Sequence, residues 1–207
     1  MKSKKELAVF LSKLKTFEVP KMKYEQYSTP SEFAADFLWT AYMNNDLYNR
    51  KVIDLGCGTG ILSIGASVLG AKVDAVDIDA DAIETAKDNR KFAETLLNQK
   101  LNLRFFVRDV AKLDSSLKAE TAIQNPPFGT KNKHIDIIFL EKALQIAPVV
   151  YSMHKLETRG YIEKYCSNKG VRCSLINTYR FNLKPTMKVH EKKNYDVAVG
   201  LWKITTV

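Results

Sequence analysis

The stretch KVIDLGCGTGILSIGA, residues 51–66, decides the fold because a glycine-rich turn joins two regular elements. The apolar letters before the turn predict a buried strand, and those after it predict a helix. Gly56, Gly58 and Gly60 allow a tight turn and let a ligand approach the main chain closely. A dinucleotide site, another nucleoside site and a tight turn without a ligand all remain open from the turn alone.

The spacing of these glycines does not match two well-known nucleotide-binding motifs. A dinucleotide fingerprint needs a glycine at position 61, where Ile61 stands, and the GK[ST] of a P-loop is absent. Asp77 follows about twenty residues later at the end of the next predicted strand, where a carboxylate can accept both hydroxyls of a ribose. Asp109 follows the third strand and could accept a hydrogen bond from an adenine amino group. Asp79 and Asp81, which lead into the next helix, are interpreted as acids of a surface turn or as a helix N-cap.

Strands and helices alternate from residue 51 onward, which predicts an α/β fold with a mostly parallel sheet and helices on both faces. The last two strands follow each other without a helix and are expected to form an antiparallel hairpin at one edge. Before the sheet, Thr29 is predicted as the N-cap of a helix with Pro30 in its first turn. Predicted strands cover 51–55, 71–78, 101–107, 119–124, 148–153, 171–181 and 194–204, and predicted helices cover 5–17, 30–43, 60–70, 80–97 and 158–170.

Composition excludes several classes of protein. The 207 residues are 45% hydrophobic and 27% charged, as in an ordinary globular chain, with no membrane-length apolar run and no secretory signal, so a cytoplasmic protein is expected. Cys57, Cys166 and Cys173 form no CxxC pair, and their spacing predicts no zinc site, so no metal is expected. Their odd number and the absence of a secretory signal argue against a disulfide framework. Lys plus Arg number 32 against 23 acids, a net charge of +9 that favours nucleic acid, although a lysine-rich solvated surface is the alternative.

The order of the motifs resembles a known family. GxGxG, Asp77, Asp109 and Asn-Pro-Pro-Phe at 125–128 resemble class I S-adenosylmethionine-dependent methyltransferases. The segments EQYSTP, DLGCGTGILSIGA, NPPFGTKNK, VYSMHK and HEKK are similar to the archaeal and eukaryotic ribosomal RNA adenine-N6 methyltransferases of the methyltransferase-like-five type. The resemblance implies a Rossmann-like, seven-stranded sheet with an antiparallel last strand and S-adenosylmethionine as cofactor. It implies one domain over 1–207, with N-terminal helices and a cofactor-lid loop in 1–48 and the α/β core in 49–207.

The Asn-Pro-Pro-Phe segment has a chemical interpretation in such an enzyme. An exocyclic aromatic amine is a poor nucleophile because its lone pair is delocalised into the ring. The Asn125 side-chain oxygen and the Pro126 carbonyl can accept hydrogen bonds from its two N–H groups. Pro127 helps to keep these two oxygens in fixed positions. Phe128 offers a stacking face worth about 1–3 kcal/mol per base. A proline-stiffened turn with Phe128 in the core is the alternative.

The resemblance assigns candidate cofactor contacts, and the positive charge of three loops indicates candidate RNA contacts, with solvated loops as the alternative. The candidate cofactor residues are Gln26, Thr29, Asp54, Gly56, Gly58, Thr59, Gly60, Ile61, Asp77, Asp109 and Val110. The candidate RNA contacts are the basic residues of three predicted loops, namely Lys131, Lys133, His154, Lys155, Lys188, Lys192 and Lys193. Related enzymes work with a small zinc-containing activator protein, so such a partner is implied as well.

Three other functions stay open beside RNA adenine-N6 methylation. Methylation of a glutamine amide in a protein uses the same Asn-Pro-Pro geometry, although Phe128 and the charge favour RNA. DNA adenine methylation is a further option, but no additional DNA-recognition domain is evident. A catalytically silent RNA-binding subunit is the last, and the intact Asn125, Asp77 and glycines argue against it.

Overall fold

The computed structural model describes residues 1–114, 116–128, 134–183 and 195–206. These residues form a seven-stranded sheet with the order β3-β2-β1-β4-β5-β7-β6. The strands are β1 (Lys51–Leu55), β2 (Lys72–Asp77), β3 (Leu103–Val107), β4 (Thr121–Gln124), β5 (Val149–Lys155), β6 (Arg172–Leu183) and β7 (Tyr195–Thr205). Strands β1 to β5 pair in parallel, and β7 runs antiparallel to both β5 and β6. The predicted α/β sheet with an antiparallel last strand is confirmed.

Helices cover both faces of this sheet. They are α1 (Lys4–Leu11), α2 (Ser31–Met43), α3 (Ile61–Val68), α4 (Ala80–Leu97), α5 (Ile135–Ile146) and α6 (Arg159–Lys169). The first four contribute buried side chains to one apolar cluster, and α5 and α6 contribute to the other. β1 and β4 are buried along almost their whole length, as parallel strands covered on both faces should be. None of the described helices is both long and apolar enough to cross a membrane.

The first helix is shorter than predicted. The pattern predicts a helix over 5–17, but α1 ends at Leu11 and is followed by turns. The Asn89 side chain accepts a hydrogen bond from the Lys15 backbone N–H at 2.8 Å and donates one to the Lys15 carbonyl at 2.9 Å. These bonds replace those of a continuing helix, and they let Phe17 lie over the glycine-rich turn rather than on the helix face.

The start of α2 also differs from the prediction. Pro30, rather than Thr29, is the residue that flanks the helix, and no side chain caps its first turn. The Thr29 hydroxyl instead accepts a hydrogen bond from the Asn125 side-chain amide. The side chain that was predicted to cap the helix is therefore used to hold a residue of the candidate site.

Candidate active site

A cavity of about 690 Å³ lies at the carboxyl ends of the parallel strands, where α/β sheets usually bind ligands. Residues of the N-terminal segment 11–31 line its other side. The candidate residues that line it are Gln26, Thr29, Asp54, Gly56, Gly58, Thr59, Ile61, Asp77, Asp109, Val110, Asn125 and Pro127. Gly60, Pro126 and Phe128 lie outside that lining. The sequence motifs thus come together at one place although they are far apart in the chain.

The glycine-rich turn between β1 and α3 forms one wall. Gly58 has a left-handed φ of +54°, and a Cβ atom built there would lie 2.8 Å from the Phe17 ring. Its backbone N–H donates to Asp77 Oδ2 at 2.7 Å. Glycine is needed at this position because the backbone is left-handed and a neighbouring side chain approaches it closely.

Asp77 is held by backbone donors at the end of β2. Its two carboxylate oxygens accept hydrogen bonds from the N–H groups of Gly58 and Asp79, the second at 2.9 Å. Burial raises the pKa of Asp77 above its ordinary value, and these two donors oppose that rise. Each oxygen keeps acceptor capacity for a further donor, such as a ligand hydroxyl, because a carboxylate oxygen carries more than one lone pair.

Asp54 is the most deeply buried acid of the site. It is fully buried at the end of β1, and the Ser63 hydroxyl donates to its Oδ2 at 2.5 Å. Its other oxygen, Oδ1, has no hydrogen-bond partner among the described residues. Burial raises the pKa of Asp54 to about 7, and the nearby Asp77 adds to the rise. A buried acceptor without a donor is costly, so the site suits a ligand that brings a donor or a positive charge.

Asp109 has a different environment at the rim. Its side chain accepts a hydrogen bond from the Ala111 backbone N–H at 3.0 Å and so caps a short 3-10 helix, Val110–Lys112. Asp109 is about one-third exposed, and Lys112 lies 3.8 Å from its second oxygen. The position at the cavity wall agrees with the expected location, while the carboxylate already has local partners.

The Asn-Pro-Pro segment presents two acceptors side by side. The Asn125 amide nitrogen donates to Thr29 Oγ1 at 2.9 Å, which orients the amide so that Oδ1 points the other way. The Tyr27 hydroxyl lies 2.7 Å from that Oδ1 and 3.2 Å from the Pro126 carbonyl oxygen. One donor atom therefore reaches both oxygens, and the two acceptors converge on a single point.

An aromatic pair stands beside these acceptors. The Phe128 ring, half-buried against the core, stacks with the Tyr27 ring at a centroid distance of 4.9 Å and an interplanar angle of 26°. Burial raises the pKa of Tyr27 well above its ordinary value, so its hydroxyl is neutral and can donate. Phe128 is thus neither a simple core residue nor an open face, since another aromatic ring covers one side of it.

Asp79 fastens the N-terminal segment over the cavity. It accepts hydrogen bonds from Lys21 Nζ at 2.5 Å and from Gln26 Nε2 at 2.7 Å, and it caps α4 through the Asp81 N–H. Although burial raises the pKa of Asp79, the bonds from Lys21 and Gln26 hold it below its ordinary value. The predicted N-cap role is confirmed, and the residue additionally anchors the covering segment.

Comparison with known proteins identifies the family. The chain is 39% identical to the Danio rerio "rRNA N(6)-adenosine-methyltransferase METTL5" over 97% of this chain and 98% of that protein. The Drosophila melanogaster protein of the same description is 36% identical over 96% and 94%. The chain belongs to the METTL5 family. The crystal structure of PH1948 from Pyrococcus horikoshii, described as a candidate RNA methyltransferase, is 38% identical with a TM-score of 0.87 over 100% of this chain and 99% of that one. A sequence model of the ribosomal protein L11 methyltransferase family matches residues 39–124 only.

The extent of that partial match separates two parts of the METTL5-family site. The matched region runs from α2 to Gln124, the last residue of β4, so it contains the glycine-rich turn and Asp77. It stops just before Asn125. The match to that family model therefore includes the glycine-rich turn and Asp77 and ends before the acceptor segment.

One predicted RNA contact of this METTL5-family chain is wrong. His154 was placed in a loop, but it lies inside β5 and is fully buried. Its ring lies 2.8 Å from Ser152 Oγ and 3.3 Å from Asp136 Oδ2, in a polar chain that Gln124 extends. A side chain without exposed surface cannot contact a phosphate group.

The other basic candidates have different outcomes. Lys155 is the last residue of β5, its side chain is about 21% exposed, and its Nζ lies 3.2 Å from Glu157. The remaining candidates lie outside the described residues, namely Lys131, Lys133, Lys188, Lys192 and Lys193.

Sequence reasoning missed Tyr27, which lines the cavity of this METTL5-family chain, and Lys21 and Asn89, which hold the segment that covers it. Tyr27 stands in the quoted EQYSTP segment between the predicted contacts Gln26 and Thr29, but a tyrosine at this position gives no motif signal of its own. Lys21 and Asn89 gave no motif signal, because a lysine before a loop and an asparagine within a charged helix are common. The pairing of Asn89 with Lys15 and of Lys21 with Asp79 depends on tertiary structure alone.

Proposed function

We propose that this protein transfers a methyl group from S-adenosylmethionine to N6 of an adenine in RNA, with small-subunit ribosomal RNA as the substrate. The observation that carries the proposal is the convergence of Asn125 Oδ1 and the Pro126 carbonyl on one point beside the cavity. Relatives that match nearly the whole chain are named rRNA N(6)-adenosine-methyltransferases, which supports the choice of base and of nucleic acid.

The cavity has residues that fit the cofactor. When bound, S-adenosylmethionine supplies a methyl group carried on a positively charged sulfur. Asp54 Oδ1, the buried acceptor without a partner, suits the ammonium of the methionine part, and Asp77 suits the ribose hydroxyls. The remaining holders in the proposal are the lining residues Gln26, Thr29, Gly56, Gly58, Thr59, Ile61, Asp109 and Val110. Gly60 is also in the proposal, as a left-handed residue of the same turn that lies outside the lining.

The reacting base would be held by the acceptor segment. Asn125 and the Pro126 carbonyl accept the two N–H groups of the amino nitrogen, which draws that nitrogen toward tetrahedral geometry and frees its lone pair. Thr29 keeps the Asn125 amide in the required orientation. Because the prolines fix the backbone beforehand, little ordering is left for the transition state. In the proposal, Phe128 provides the face on which the base stacks.

The partners in the proposal follow from charge and from the sheet edge. The net charge of +9 suits RNA. β3 is an edge strand on which Phe106 and Val107 are 37% and 43% exposed, which suits the zinc-containing activator that the resemblance implies. Light scattering of the isolated chain, and co-purification from cells, would test that partner. A ribosomal substrate further leads us to propose a cytoplasmic location, which cell fractionation would check.

The decisive experiment uses methyl-labelled S-adenosylmethionine with ribosomal RNA and, separately, with total protein, followed by nucleoside and amino-acid analysis. We expect N6-methyladenosine in RNA with the wild-type protein and none with Asn125→Ala. Asn168→Ala, an exposed asparagine on α6, serves as the control and should retain activity. Label in glutamine would contradict the RNA assignment, and label in neither sample would contradict the enzyme assignment.

A further inference from the structure

Tyr27 occupies the point where the target amino group would be bound. Its hydroxyl lies 2.7 Å from Asn125 Oδ1 and 3.2 Å from the Pro126 carbonyl oxygen, the two acceptors assigned above to the reacting nitrogen. Its ring stacks on Phe128, the residue assigned to the base. A polar donor at the edge of a flat ring thus makes the same three contacts that the proposed substrate would make.

The two donors are not equivalent. A hydroxyl carries one hydrogen, so Tyr27 can donate to only one of the two oxygens at a time, in keeping with one short and one longer distance. An adenine amino group carries two hydrogens and can serve both oxygens together. The incoming base therefore has an advantage at this point that the tyrosine lacks.

The backbone next to Tyr27 has a feature that suits displacement. Glu25, two residues earlier, is in the left-handed region with a φ of 50°, which is uncommon for a residue other than glycine. It follows the short 3-10 helix Met22–Tyr24. Upstream of it, Lys21 is fixed to Asp79. Gln26, just after Glu25, also donates to Asp79, so this anchor ends one residue before Tyr27. Tyr27 therefore follows the anchored part directly and lies close to a conformation that costs free energy.

We infer that Tyr27 is an internal competitor for the target base, which closes the base pocket in the free protein and is displaced when an amino-bearing base enters. This inference rests on the proposed function. It deepens that function because it adds a residue that sets the affinity of the same site. Molecules in which Tyr27 closes the pocket cannot bind the base, so the apparent affinity for RNA falls as the fraction of such molecules rises.

The test measures binding of a short oligoadenylate by fluorescence anisotropy with S-adenosylhomocysteine present, so that no turnover is needed. Tyr27→Phe keeps the ring but removes the hydroxyl that reaches both oxygens, and Tyr27→Ala removes the ring as well. We expect Tyr27→Phe to bind oligoadenylate about fivefold to tenfold more tightly than wild type, and Tyr27→Ala at least as tightly. Oligouridylate, which has no amino group, should bind all three proteins alike. Tyr48→Phe, which removes a hydroxyl from a 59% exposed residue, should behave as wild type.

Several results would overturn the inference. Equal or weaker oligoadenylate binding by both Tyr27 variants would mean that Tyr27 supports the pocket rather than competes for it. Equal tightening for oligouridylate would mean a general change of the surface. If the wild-type protein methylates RNA and either result is found, only this inference fails. If no variant binds oligoadenylate and RNA receives no label, the proposed function fails with it.

Discussion

Cofactor binding should depend on pH through Asp54. Because burial raises the pKa of this carboxyl to about 7, roughly half of the cofactor-free molecules carry it ionised at neutral pH. An ammonium group binds the ionised form, so affinity should rise as the pH increases through the pKa. The ionised fraction is about 0.1 one unit below the pKa and about 0.9 one unit above it, so Kd should fall about tenfold from pH 6 to pH 8.

The measurement is calorimetric titration with S-adenosylhomocysteine, which keeps the methionine and ribose parts of the cofactor and cannot react. Asp54→Asn is the matched variant, because it keeps the shape but cannot ionise. We expect the variant to lose most of the pH dependence and to bind about 10- to 100-fold more weakly at pH 8, the range for a hydrogen bond to a charged group.

Other groups near Asp54 have to be separated from it. Asp77 is buried close by, and burial raises the pKa of the Cys57 thiol well above its ordinary value, so that thiol stays neutral in this range. Any change of Kd with pH that remains in Asp54→Asn is therefore assigned to such neighbouring groups. A wild-type Kd that is constant from pH 6 to pH 8, or an unchanged slope in the variant, would refute the assignment of Asp54 to the ammonium.

Three further outcomes are expected. Thr29→Val frees the Asn125 amide to rotate and should lower kcat, measured at saturating S-adenosylmethionine, by about tenfold; an unchanged kcat would contradict the orienting role. Gly65→Ala should lower the free energy of unfolding in urea by about 1–3 kcal/mol, because the new methyl would lie 2.4 Å from a leucine of α2. Gly160→Ala should be neutral or stabilising, because among the described residues no atom outside its own helix turn lies within 4 Å of the new Cβ; equal effects of the two changes would contradict the packing argument. His154→Ala should lower the free energy of unfolding by about 1–3 kcal/mol because it leaves buried polar groups unpaired. The salt dependence of RNA binding should stay unchanged, and a smaller dependence in the variant would mean that His154 does contact a phosphate.

The fold was predictable where a pattern depends on local physics. Short apolar runs bounded by turn residues predicted all seven strands, because parallel strands buried on both faces need continuous apolar sequence. α5 gave no such signal, since apolar residues surround most of its circumference and do not form one stripe. The end of α1 was missed for another reason, because Asn89 on a distant helix takes over the backbone groups of Lys15.

The candidate site was predictable as a set of positions but not as a network. Glycines, acids and Asn-Pro-Pro mark strand ends, which topology brings together, so Asp77 and Asn125 could be located from spacing. Hydrogen-bond partners across long sequence separations could not be read in this way. Tyr27 and Asn125 are 98 positions apart, and nothing in either local sequence indicates that they pair.

The position of β7 affects how the protein can fold during synthesis. β6 is made first, yet β7 is its only neighbour in the described sheet, and β7 also covers the edge of β5. Until residues 195–205 leave the ribosome, β5 is therefore an open apolar edge, which invites pairing with other chains. Chains stalled before residue 195 should bind chaperones and aggregate more than finished ones, as sedimentation of ribosome-bound chains would show. The described sheet is thus completed only when β7 is made, after both of the strands that it joins.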